Sequence, residues 1–180
     1  MHRQFLRQLL DRHQPSDAHE KTMLADIICF IDAHEDCFER SQLKGHITGS
    51  AWITDSSFQQ ALLLHHRKLD RWLQPGGHSD GQSNTLDVAT REAEEETGLS
   101  SITPYSNSIF DVDIHKIPAR KSEPEHYHYD VRFLFIADPS EKITRNEESN
   151  AIKWFPLEEI QNISDEESIS RMIRKVQSLK

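Results

Sequence analysis

Cysteine is scarce in this chain of 180 residues: there are two, Cys29 and Cys37. Two thiols build no disulfide framework, so a reducing, cytoplasmic setting is expected, with both read as small buried side chains. Long apolar runs are missing as well. No stretch approaches the roughly 20 residues of a membrane helix, and Met1-His2-Arg3-Gln4-Phe5 opens no signal peptide. Cationic charge is the third shortage. Against 30 Asp+Glu the chain carries 21 Lys+Arg, a net charge of −9. That balance leaves no surplus to displace counterions from a long nucleic acid or an anionic membrane, so neither is an expected partner. No repeat or low-complexity tract interrupts the sequence. What is present is an ordinary globular composition, with 36% apolar and 28% charged residues, and one excess: 11 histidines.

Hydrophobic periodicity organises the rest. Phe5, Leu6, Leu9 and Leu10 form a helical stripe ending before Pro15. Met23, Leu24, Ile27, Ile28 and Ile31 form a second, with Asp17 and Glu20 spaced as a capping box. These define an N-terminal helical segment, residues 1–40, ahead of a main domain over 41–180. In that domain, Ile47 to Asp55 and Phe58 to His66 read as strands around an Asp55-Ser56-Ser57 turn. Trp72 to Gly81 reads as a loop, Thr85 to Thr97 as a helix, and Ile102 to Ile117, His126 to Ala137 and Ala151 to Phe155 as strands. Gly98 occupies a left-handed C-cap position. A short helix from Pro156 through Ile160 and a last helix opening at Ser164 complete the chain, giving an α/β or α+β class.

The segment with chemistry in it is Arg91-Glu92-Ala93-Glu94-Glu95-Glu96-Thr97-Gly98-Leu99. Glu92, Glu95 and Glu96 fall at i, i+3 and i+4, which stacks three carboxylates on one helical face. A hard, oxygen-seeking cation reverses that repulsion; a solvated acidic face is the plain alternative. Gly77 lies upstream of Arg91, with thirteen residues between them. With residue frequencies of roughly 7%, six fixed matches at set spacing arise by chance on the order of once in 10⁵ chains of this size.

This arrangement resembles the Nudix box, Gly-x5-Glu-x7-Arg-Glu-apolar-x-Glu-Glu-x-Gly-apolar. Gly77, Arg91, Glu92, Ala93, Glu95, Glu96, Gly98 and Leu99 match, while Ser83 stands where the first Glu belongs. That departure bears on what supports Arg91, for which Asp80 and Asp87 are the candidates, and on a second metal. The likeness extends over about residues 44–160, through Gly45-His46-Ile47-Thr48, Trp72-Leu73-Gln74-Pro75-Gly76-Gly77-His78 and Trp154-Phe155-Pro156. It implies an α/β/α sandwich around a mixed sheet, here with an N-terminal helical extension. It also implies a Mg²⁺- or Mn²⁺-dependent hydrolase that attacks a small nucleotide-like diphosphate with metal-activated water. Glu92, Glu95 and Glu96 become the metal ligands, joined by Glu148 or its rival Glu147. Glu95 or Glu96 partners the nucleophilic water, Arg91 supports the catalytic helix, and Gly77 and Gly98 are structural. A non-catalytic module that senses a nucleotide is the alternative.

The substrate-binding candidates are Arg67, Lys68, His78, His126, His128 and Arg132. In His126-Tyr127-His128-Tyr129-Asp130-Val131-Arg132-Phe133 the strand alternates, with Tyr127, Tyr129, Val131 and Phe133 on one face and the polar residues on the other. The polar face suits a phosphate contact, a zinc-type His-x-His pair or plain solvent. The N-terminal helices are open to three roles: covering a cleft, forming a homodimer, or packing on the domain.

Overall fold

A computed structural model describes residues 2–119, 124–144 and 149–180. Helices α1 (His2–Arg12) and α2 (Ala18–Ala33) lead into strands β1 (Gly45–Thr54), β2 (Gln60–His66), β3 (Arg71–Leu73) and β4 (Gly76–His78). Helix α3 (Thr85–Thr97) follows, then β5 (Thr103–Pro104), β6 (Asp111–Ile117), β7 (His126–Ile136) and β8 (Ser149–Pro156), and last α4 (Leu157–Ile160) and α5 (Glu167–Gln177). All eight strands join one mixed sheet. Its axis is the parallel pair β1–β7, in register from Gly45↔Tyr127 to Thr54↔Ile136. The outer edge of β1 takes β4 antiparallel near its start and β2 near its end. Strand β2 carries β3 on the same edge as β1 and β8 on its other edge, and beyond β7 lie β6 and β5.

Side chains alternate along β1 and β7, and each parity has its own cover. The odd face (Ile47, Ala51, Ile53, Val131, Phe133, Phe135) packs with Ala89 and Ala93 of α3 and with Leu6, Leu10, Ile27, Phe30 and Ile31 of α1 and α2. The N-terminal helices therefore share the main core, and Phe30 stacks on Tyr129 with ring centroids 3.9 Å apart. On the even face, Trp52 and Leu134 pack with Leu157 and Ile160 of α4 and with Ile169, Met172, Ile173 and Val176 of α5. Two helical layers around one mixed sheet make the expected α/β/α sandwich.

Local chemistry explains most boundaries, and several lie elsewhere than the periodicity places them. The Asp55 carboxylate accepts Gln59 N at 2.8 Å and Gln60 N at 2.9 Å, closing the β1–β2 turn. Phe58 takes a left-handed φ of 56° in that turn, so β2 starts at Gln60 rather than Phe58. Residues 102–117 are not one strand, because the chain leaves the sheet between Pro104 and Asp111. The expected loop Trp72 to Gly81 contains two three-residue strands. Helix α5 begins at Glu167 rather than Ser164, whose amide instead closes the turn after α4 on Ile160 O at 3.0 Å. At α2, Asp17 caps Glu20 N at 2.8 Å, but the Glu20 side chain turns to Ser16 N at 2.6 Å, so half of the expected capping box forms.

Between the apolar and open parts of the even face lies a buried ion network. Arg132 reaches Asp130 at 2.7 Å, Asp113 at 3.1 Å and Asp111 at 3.2 Å. Asp130 also accepts Thr48 Oγ1 at 2.8 Å and Ser50 Oγ at 2.7 Å. Arg171 of α5 brackets both oxygens of Asp111 at 2.7 and 2.8 Å. Lys175 joins Asp111 at 2.7 Å and closes on Glu20 of α2. Such pairs add little net stability when complete, but removing one partner strands a buried charge. Arg171→Met is expected to cost about 3 kcal/mol in urea unfolding, and adding Asp111→Asn to recover part of it.

Burial alone would raise the Asp113 and Glu20 carboxyls. The Arg132 charge at Asp113, and hydrogen bonds from His13 and Lys175 at Glu20, outweigh it and hold both below the ordinary carboxylate range. Groups depressed in the folded state contribute stability above their unfolded values, near 4, and lose it as pH falls below them. The melting temperature is therefore expected to begin falling at about pH 4 and to keep falling as the solution is made more acidic, less steeply in Asp113→Asn.

Candidate functional site

Helix α3 carries the acidic face. Gly98 ends it in the left-handed conformation, φ 68°, with its N–H on Glu94 O at 2.8 Å, as the sequence leads one to expect. The helix lies unusually close to bare strand backbone. A Cβ on Gly49 of β1 would come within 2.7 Å of Thr85 O, and one on Gly77 of β4 within 2.4 Å of the Glu92 carboxylate. At Gly49 only glycine leaves that space, and at Gly77 glycine leaves room for the carboxylate where it stands.

The three carboxylates then fall into three environments. Glu96 is buried, and its Oε2 accepts Gly76 N at 2.9 Å. Glu92 is largely covered and held by Arg91 at 2.6 Å. Glu95 is the exposed member, 60% accessible, with Arg91 at 3.6 Å. Arg91 completes its fork on His78 O at 3.3 Å, so it ties the helix to β4. Asp80 feels the Arg91 charge but accepts its hydrogen bonds from elsewhere. That carboxylate takes Arg40 instead, with Nη2 at 2.7 Å, and Ser83 lies ahead of the Asn84 cap, outside the helix.

The other expected contributors are dispersed. Arg67 and Lys68 occupy the exposed β2–β3 turn, where His66 Nδ1 accepts Lys68 N at 3.2 Å. Arg132 is buried in the aspartate network, facing the interior of the sandwich. Glu148 and Glu147 lie outside the described residues. His78, His126 and His128 do come together, on the even face of the sheet, opposite α3. With them is His46 of β1, which is not among the site residues expected from the sequence.

His46 lies beside His128 in the parallel register, and its ring centroid is 4.8 Å from His78, 4.9 Å from His128 and 5.0 Å from His126. Burial first, and the neighbouring imidazoles second, lower His46 to about 4 and His128 to about 2. His78 falls to about 4 through burial and then the Arg40 charge. All three rings are neutral at neutral pH.

The extent of the likeness to known proteins is now decisive. A family model for the NUDIX domain matches residues 46–176. The chain belongs to the Nudix family. Its likeness to the Bacillus subtilis (strain 168) protein YvcI, an uncharacterized Nudix hydrolase, is 28% identity over 106 residues, or 58% of this chain. The aligned part spans about 63% of that relative's length. Among solved structures, a Nudix-family hydrolase from Clostridium perfringens superimposes with a TM-score of 0.53 and 22% identity, over 75% of this chain and 98% of that one. An Ap4A hydrolase from C. elegans gives 0.53 and 19%, over 74% and 96%. At such identities the structures establish the fold, and the Nudix fold matches the layers described above. Among the described residues no helix is long and apolar enough to cross a membrane.

A methyl group at position 77 meets the far end of a flexible side chain, so Gly77→Ala is expected to change stability by less than about 1 kcal/mol. It displaces the Glu92 carboxylate, however. Mn²⁺ affinity, followed by calorimetry or water-proton relaxation, is expected to fall by roughly tenfold or more.

Proposed function

We propose that this Nudix protein is a divalent-metal-dependent pyrophosphohydrolase acting on a nucleoside diphosphate linked to another moiety. The observation that carries this is the three-way division of labour among the α3 carboxylates. A purely solvated acidic face would leave all three pointing into water. Here Glu96 is anchored by the Gly76 amide, Glu92 is clamped between Arg91 and the bare Gly77 backbone, and Glu95 is presented to solvent.

An all-carboxylate donor set on a rigid helix fits a hard ion such as Mg²⁺ or Mn²⁺, and Glu92, Glu95 and Glu96 are the residues that would hold it. When bound, such an ion neutralises diphosphate charge and lowers the pKa of an attacking water. The protein's own contribution is positioning. Arg91 sets the Glu92 carboxylate and, through His78 O, fixes the helix against β4. Glu96 keeps its orientation through the Gly76 amide, which costs no rearrangement during reaction. Glu95, or Glu96 through its remaining lone pairs, is placed to take a proton from water. The substrate's two phosphates bring more negative charge to an already acidic face, so substrate and cation are expected to bind together.

A panel of nucleoside diphosphate sugars, ADP-ribose, dinucleoside polyphosphates and nucleoside triphosphates tests the reading. Mg²⁺- or Mn²⁺-dependent release of phosphate-bearing products is expected from at least one. Glu95→Gln and Glu96→Gln are expected to lower kcat/KM by on the order of 10²–10⁴-fold while leaving the fold intact. Turnover indifferent to chelator and to both substitutions overturns the proposal. Tight nucleotide binding without turnover across the panel favours a sensing module instead.

A further inference from the structure

The histidine side chains lie on the face of the sheet opposite the α3 carboxylates, and they are built like a binding site in their own right. Ligand nitrogens of His46, His78 and His128 all lie within 4.8 Å of one another. They project from three paired strands, β1, β4 and β7, so the backbone spacing is fixed by sheet hydrogen bonds rather than by loops. His128 Nε2 is 3.2 Å from His78 Nε2 and 3.4 Å from His126 Nε2. Two nitrogens of a tetrahedral zinc centre, each about 2.0–2.1 Å from the ion, stand about 3.3–3.4 Å apart.

His126 is oriented for the same task. Its Nδ1 lies 2.9 Å from Pro124 O, a group that can only accept, so Nδ1 carries the proton and the Nε2 lone pair turns toward His128. Hydrogen bonding among the rings accounts for His78, His126 and His128, but not for His46. That imidazole is 4% exposed, and neither of its nitrogens has a hydrogen-bond partner among the described residues. A buried polar group without a partner is rare in folded proteins and asks for a missing one. A cation among the rings supplies it.

We propose that His46, His78 and His128, with His126 as the fourth ligand, bind one borderline first-row divalent ion, zinc foremost, on the face of the sheet opposite α3. Imidazole nitrogens without a carboxylate suit Zn²⁺, Co²⁺ or Ni²⁺ and not Mg²⁺, which demands oxygen. The site therefore differs from the carboxylate helix in face, ligand chemistry and metal, and its existence does not depend on the hydrolase reading.

Full-length protein stripped with chelator and dialysed against Co²⁺ gives the direct test. The expected result is one Co²⁺ per chain with the intense visible absorption of tetrahedral coordination, abolished by one equivalent of Zn²⁺ and unchanged by a large excess of Mg²⁺. Glu95→Gln is expected to retain the band. His78→Asn and His128→Gln, checked for native far-ultraviolet circular dichroism, are expected to weaken Co²⁺ binding by roughly tenfold or more. Absence of the band in the stripped wild-type protein overturns the proposal. So does a band that survives in both folded histidine variants, or one displaced by Mg²⁺.

Discussion

The carboxylate site depends on how closely α3 can approach the backbone of β1 and β4. Two positions with no side chain, Gly49 and Gly77, allow that approach: a Cβ on Gly49 would collide with the helix backbone at Thr85, and one on Gly77 would push aside the Glu92 carboxylate. Closeness has three consequences. It brings the Gly76 amide within hydrogen-bonding range of Glu96, it leaves Glu92 covered, and it lets Arg91 reach a strand carbonyl. Carboxylates at i, i+3 and i+4 repel one another by a few tenths of a kcal/mol per pair on a free helix. On this one the repulsion is absorbed by an amide on one side and a guanidinium on the other. The negative charge is concentrated and also held still.

Much of this was legible in the sequence because it is local. The limits of α3, its glycine cap and the alternation along β7 follow from periods and turn chemistry that a few residues contain. What escaped was set by contacts between distant residues. Strands β3 and β4 are too short, and too rich in proline and glycine nearby, to show a period, and they exist because β1 and β2 offer free edges. Asp80 is near enough in sequence to serve Arg91, yet it is claimed by Arg40, which the chain brings in from the segment before β1. Likewise, His46 is an ordinary residue until the parallel β1–β7 register sets it beside His128. Register is not written in either strand alone.

The chain's unusual composition is explained by position. Several of the acids behind the net charge of −9 do not face solvent: Asp111, Asp113, Asp130 and Glu20 are buried against Arg132, Arg171 and Lys175. Five of the eleven histidines, counting His115, whose ring lies 5.3 Å from that of His128, gather at one end of one sheet face. Along that face the side chains pass from apolar (Trp52, Leu134) through ionic (Asp130, Arg132) to imidazole (His46, His128). A single pair of strands thus carries a core, a salt network and a nitrogen-rich pocket in sequence, and β4 separates the last of these from the carboxylates.

Helix α5 has a consequence for the order in which the molecule can be assembled. Asp111 takes two of its three cationic partners, Arg171 and Lys175, from residues at least 60 positions later in the chain, and Glu20 waits for Lys175 across 155. Until that helix has been synthesised, a nascent chain has only Arg132 and His13 among these cationic or imidazole partners for the carboxylates, and the Trp52–Leu134 surface has only the short α4 to cover it. The sandwich therefore closes late, and α5 acts as its keystone.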